Sequence, residues 1–105
     1  MENFDYHLNN FVADNQKNIN AYFQKHFPSL VAPTLVIDPN GKKYLRIVKR
    51  DHGSPGGSVF CFVEKETGNV FKAESWKRPA PGIRGHISQS AETSCTVYGA
   101  KYATR

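Results

Sequence analysis

Nowhere in these 105 residues does an apolar run approach the roughly 18 needed to span a bilayer, which excludes a helical membrane anchor. The opening segment, MENFDYHLNN, lacks the charged-then-apolar pattern of an export signal. Cysteine is scarce as well: Cys61 and Cys95 are too few for a disulfide framework, and a cytoplasmic location is the expectation. Cys61 lies inside an apolar run, where a buried free thiol is expected. With His7, His26, His52 and His86 the cysteines form neither a CxxC nor an HxxxH spacing, so no metal and no cofactor is expected. Paired carboxylates are missing too, because Asp and Glu fall mostly at turns. Asp51-His52 is the best acid/base candidate, and no nucleophile, base and oxyanion donors assemble around it. A binding role is therefore expected ahead of an enzymatic one.

Acidic residues are short in one half only. Residues 1–41 carry two lysines against four carboxylates, a net of −2. Residues 42–105 carry twelve Lys and Arg against five Asp and Glu, a net of +7. A basic half on a nearly neutral base is the charge layout of a polyanion-binding surface.

What is present reads as a single α+β domain over residues 1–105. Phe4, Leu8, Phe11, Val12, Ile19, Tyr22 and Phe23 recur at three- and four-residue steps, which predicts an amphipathic N-terminal helix. Asn9, Asn10, Asp14, Asn15 and Lys17 fill its polar face, and Pro28 closes it. Thr34–Asp38 and Lys43–Lys49 flank Asp38-Pro-Asn-Gly41, a strong turn signal, and predict a hairpin. In the second of these runs Leu45 and Ile47 face one way, while Tyr44, Arg46 and Val48 face the other. Arg50–Gly57 reads as a glycine-rich connector. Ser58–Glu64 alternates Val59, Cys61 and Val63 against Phe60 and Phe62, the pattern of a central strand buried on both sides. Lys65–Gly68 turns the chain, and Asn69–Ala73 pairs back. The helix is expected to pack on a small antiparallel sheet of four to five strands.

Glu74–Ile87 holds two prolines and two glycines and predicts a packed loop, with Trp76, Ile83 and Ile87 folding it back onto the body. From Ser88 the chain is polar, with a last strand expected near Cys95–Tyr98 and fraying from Ala100. The basic loop is the candidate site. Lys72, Trp76, Lys77, Arg78, Arg84 and His86 cluster within fifteen positions, and Arg46, Lys49 and Arg50 are expected to join them through the sheet. Arginine offers a planar fork matched to phosphate, and the single tryptophan offers a face for a base. Nucleic acid or a nucleotide is the expected partner.

The run Ser58–Val63, then Thr67-Gly-Asn-Val-Phe-Lys72, then Trp76-Lys77, Pro79-Ala80 and Arg84-Gly85-His86-Ile87 resembles a family of small uncharacterised tailed-bacteriophage proteins. In these a short hairpin is followed by a Trp-Lys-x-Pro-Ala segment and an Arg-Gly pair. The resemblance covers about thirty residues, as read by motif. It implies a viral origin and brings no established activity. It also admits a host-takeover or anti-defence protein, docking on a host protein through Trp76 or Arg78 or sequestering a nucleotide signal. A small enzyme using His52 or His86 on a phosphorylated substrate is a further alternative. Self-pairing through the exposed edge at Thr34–Asp38 would give a homo-oligomer.

Overall fold

The computed structural model describes residues 3–52 and 56–101. It leaves part of the glycine-rich connector and the last four residues of the tail outside the description. A 23-residue helix, α1 (Phe4–His26), leads into five strands: β1 (Thr34–Asp38), β2 (Tyr44–Arg50), β3 (Ser58–Glu64), β4 (Asn69–Ala73) and β5 (Pro79–His86). They form one antiparallel sheet in sequential order, β1-β2-β3-β4-β5. A one-turn helix α2 (Ala91–Ser94) and a two-residue hairpin, β6 (Cys95–Thr96) with β7 (Gly99–Ala100), close the chain. The expected helix on an antiparallel sheet is what forms. No helix among the described residues is long and apolar enough to cross a membrane.

Helix α1 contributes Leu8, Phe11 and Ile19 to the core, where they meet Leu35, Leu45, Ile47, Cys61, Val63 and Val70 from one face of the sheet. Each such side chain removed from water contributes about 1.5–3 kcal/mol, which offsets the weak helix propensity of an asparagine-rich segment. The helix stops at His26, one residue before the Phe27 cap, whose N–H donates to Phe23 O at 2.7 Å. Asn15 departs from the polar face that periodicity predicts. It is buried, and its Nδ2 donates to Phe11 O at 3.0 Å, so its polarity is satisfied within the helix.

Two expectations about the strands are corrected. Strict alternation in β3 sets Phe60 against Cys61, yet a register shift opposite Ile47 and Val48 makes Phe60 the extra residue of a bulge. Phe60 therefore joins the same core as Cys61. The second correction is β5, read as a loop because of its prolines and glycines. It is an edge strand interrupted by two register shifts, the setting in which a missing N–H and local irregularity cost least. Trp76 and Ile83 do not fold inward and are exposed, whereas Ile87 is buried as expected. The expected last strand is instead the β6–β7 hairpin. At its turn Gly99 has φ of +136° and lies so close that a Cβ would stand 2.7 Å from Phe60 O. Only glycine meets both conditions.

Candidate nucleic-acid interface

Register places one residue from each strand in a row across the sheet face opposite α1: Asp38, Arg46, Phe62, Phe71 and Ile83. No helix covers this face among the described residues, so its apolar groups are shielded by neighbouring side chains. Tyr44 sets its ring edgewise on Phe71, with centroids 5.4 Å apart, and on Phe62 at 6.2 Å. Arg46 lies over Phe62 and against Trp76, its guanidinium carbon 5.5 Å and 5.4 Å from the two ring centroids. Its Nε donates to Trp76 O at 2.6 Å, and Nη1 lies 3.7 Å from the Asp38 carboxylate. The arginine thus holds the start of the β4–β5 turn against the sheet through ring contact and hydrogen bonding together.

Trp76 itself remains 45% exposed. Beside it opens a cleft of about 320 Å³, floored by Val59 and Ala73 and walled by Ser58, Ser75 and the indole. The turn is closed by the N–H groups of Glu74 and Ser75, which donate to Arg78 O at 3.0 and 3.1 Å. Lys77 and Arg78 are exposed there, with Arg78 Nε 3.7 Å from Glu74 Oε2. Arg50 follows the same alternation as Arg46 and Val48, and its Cγ borders Gly57 at the far wall of the cleft.

The remaining sequence-selected cations lie elsewhere. Lys49 stands opposite core residue Leu35 and so belongs to the helix-bearing face. Lys72 reaches that side too, donating from Nζ to Ala100 O at 3.1 Å. Arg84 is bound to backbone: Nε to Lys101 O at 2.8 Å, and Nη1 to Pro81 O and Gly82 O at 2.9 and 2.6 Å. In His86 both ring nitrogens are engaged. Nε2 donates to Thr67 O at 2.6 Å, while Nδ1 accepts from Ser88 N at 3.1 Å and contacts Ser88 Oγ at 2.7 Å. The nine cationic and aromatic residues therefore divide. Trp76 lines the cleft, Arg50 borders it, and Arg46 and the adjoining Lys77 and Arg78 lie beside the indole, while Lys49, Lys72 and Arg84 belong to the opposite face and His86 is tethered to the β3–β4 turn.

Chemistry elsewhere is sparse. Asp51 and His52 are exposed at the end of β2, next to the undescribed Gly53–Pro55. No group of three or more His, Cys, Asp or Glu among the described residues is arranged to hold a metal ion. The two walls of the cleft, from Gly57–Val59 and Ala73–Trp76, come from segments that sequence spacing does not connect. Only the β3–β4 pairing sets them side by side.

A family model described as "Family of unknown function (DUF7717)" matches residues 4–104, and the chain belongs to that family. No curated protein and no solved structure matches it.

Proposed function

We propose that this chain is a non-catalytic binding protein that takes single-stranded nucleic acid, or a nucleotide, against Trp76 on the open face of the sheet. The observation that carries the reading is an indole held half-exposed by Arg46 at the rim of a cleft, with Lys77, Arg78 and Arg50 around it. Stacking of a base on such a ring contributes about 1–3 kcal/mol, and every base has a face to offer. The cations supply phosphate contacts without a rigid cradle, which fits a flexible strand better than a stiff duplex. With three cations at the rim, log K should fall with log salt at a slope of about −2, at roughly −0.7 per phosphate contact. The resemblance to tailed-phage proteins supports an accessory role in an infected cell.

Trp76 is the single tryptophan of the chain, so intrinsic fluorescence reports on this site alone. Titration with short single-stranded oligonucleotides should quench it at low salt and lose affinity as salt rises. Removing Lys77 and Arg78 together (K77A/R78A) should weaken binding by about tenfold. Removing the same charge from the exposed helix lysines (K17A/K25A) should leave affinity within about twofold, since they lie on the other side of the sheet. Absence of binding at low salt, indifference to salt, or equal losses in the two variants would reject the reading.

A second reading, docking on a host protein, is favoured by the apolar surface flanking the indole. Ile83 is 60% exposed and Val36 39% exposed on the same face. Trp and Arg are common anchors of such interfaces. A stoichiometric protein partner captured from host lysate, insensitive to nuclease and lost in W76A, would establish it over the first.

A further inference from the structure

The cleft beside Trp76 has one lining residue that phosphate binding does not account for. Among the described residues Glu74 is the only carboxylate that lines it, in company with Ser58, Ser75 and the indole. A negative charge beside Lys77 and Arg78 works against a polyanion. The backbone that carries it is held in place. Glu74 N–H and Ser75 N–H both donate to Arg78 O, at 3.0 and 3.1 Å, and Trp76 O accepts from Arg46 Nε at 2.6 Å. Glu74 and the indole thus stand two positions apart on one tethered turn. The carboxylate itself is only lightly engaged. Its Oε2 lies 3.7 Å from Arg78 Nε, beyond the roughly 2.7–2.9 Å of a strong charge-assisted bond. The two side chains are 54% and 77% exposed, and an exposed pair of this kind contributes little and exchanges readily.

We propose that Glu74 is the specificity-determining residue of this site and selects guanine from the other bases, in a single strand or as a nucleotide. The inference rests on the reading of Trp76 as a stacking platform. A base stacked on an exposed ring offers its hydrogen-bonding edge to the walls around it. A carboxylate is an acceptor-only group with two oxygens, best matched by a fork of two parallel N–H donors. Guanine alone among the bases carries such a fork, N1–H beside the N2 amine. Adenine and cytosine set an amino group next to an unprotonated ring nitrogen, whose lone pair repels a carboxylate. Thymine and uracil set N3–H between two carbonyl oxygens, with the same result. The Ser58 and Ser75 hydroxyls on the same walls are donors suited to guanine O6. Guanine also displaces Arg78 from the carboxylate, which releases the guanidinium to a phosphate. One exchange of partners thereby serves base and backbone together.

Quenching of Trp76 at low salt is measured with thymine oligonucleotides carrying one central guanine, adenine, cytosine or hypoxanthine. The guanine strand should bind about tenfold more tightly than the adenine, cytosine and all-thymine strands, the discrimination expected of one bidentate pair. Hypoxanthine lacks the N2 amine and should lose most of that preference. E74Q keeps the shape but replaces one acceptor by a donor, and should bring all strands within about twofold of one another. Its Tm should stay unchanged, because the side chain is exposed. K77A/R78A should weaken every strand and keep the order of bases. Guanosine monophosphate should compete with the guanine strand, and adenosine monophosphate should not. Competition at concentrations equal to the strand marks a free nucleotide as the ligand, and a need for large excess marks a strand. Equal affinity for every base, a guanine preference that survives in E74Q, or an equal loss for all strands in E74Q would overturn the assignment and leave the Trp76 platform standing. Failure of every strand to quench Trp76 would remove the platform, and this assignment with it.

Discussion

In the sequence Arg46 is a charge beside an aromatic residue, and the structure adds what that charge is attached to. Its fork meets the Asp38 carboxylate and the Trp76 carbonyl, and its plane covers Phe62. Only 15% of its side chain is exposed, so most of its capacity is directed into the protein. Its part at the cleft is to position the indole. Truncation (R46A) should destabilise the fold by about 2–3 kcal/mol, the sum of a charge-assisted hydrogen bond and partly desolvated ring contacts. It should also red-shift Trp76 emission as the turn lifts from the sheet. Lysine at this position (R46K) keeps the charge without the planar fork and should fall between the two. Urea denaturation followed by tryptophan emission measures both effects. The neighbouring Lys77 and Arg78 were legible as exposed cations from composition alone. Arg84 and His86 were not legible as tethered groups, because the carbonyls they bind, at Lys101 and Thr67, become neighbours only after folding.

At the scale of elements, the helix and the first four strands follow from periodicity and turn chemistry. Strand β5 and the bulge at Phe60 do not, because each depends on a partner strand tolerating an irregularity. The edges of the sheet carry a related lesson. The Gln16 side chain of α1 accepts from Leu35 N at 2.7 Å and donates to Pro33 O at 2.9 Å. Its amide thereby mimics a neighbouring strand and covers the start of the β1 edge. At the other edge, Pro79 and Pro81 of β5 have no N–H to offer. Both edges are thus blunted, though by different means. Substituting Gln16 by alanine should cost about 1–3 kcal/mol by leaving those two backbone groups unpaired. It should also promote concentration-dependent self-association through β1. Sedimentation velocity of Q16A beside the wild-type chain, expected to be monomeric, checks this.

Across the whole molecule, the first element is fastened to the last. Asn18 Nδ2 donates to Glu92 Oε1 at 3.0 Å, and the Tyr22 and Tyr98 hydroxyls meet at 2.8 Å. The Glu92 carboxyl is held below the usual range first by its own backbone N–H and then by Asn18, opposed by desolvation and assisted further by Ser90 and Lys101. A carboxylate depressed by folding contributes stability above its unfolded pKa, near 4.3, and loses it as pH falls through the lower folded value. Tm should therefore decline on acidification below about pH 4.5, and part of that decline should vanish in E92Q. Thermal melts of both chains over an acidic pH series test it. Charge asymmetry, the elements up to β4 and the single tryptophan were determined by the sequence alone, because local periodicity and composition suffice for them. The division of the cations between two faces, the cleft beside Trp76 and the burial of Cys61 and Cys95 in one core were decided only by the tertiary structure. Strand register and the return of the C-terminal hairpin bring together residues that no local pattern links.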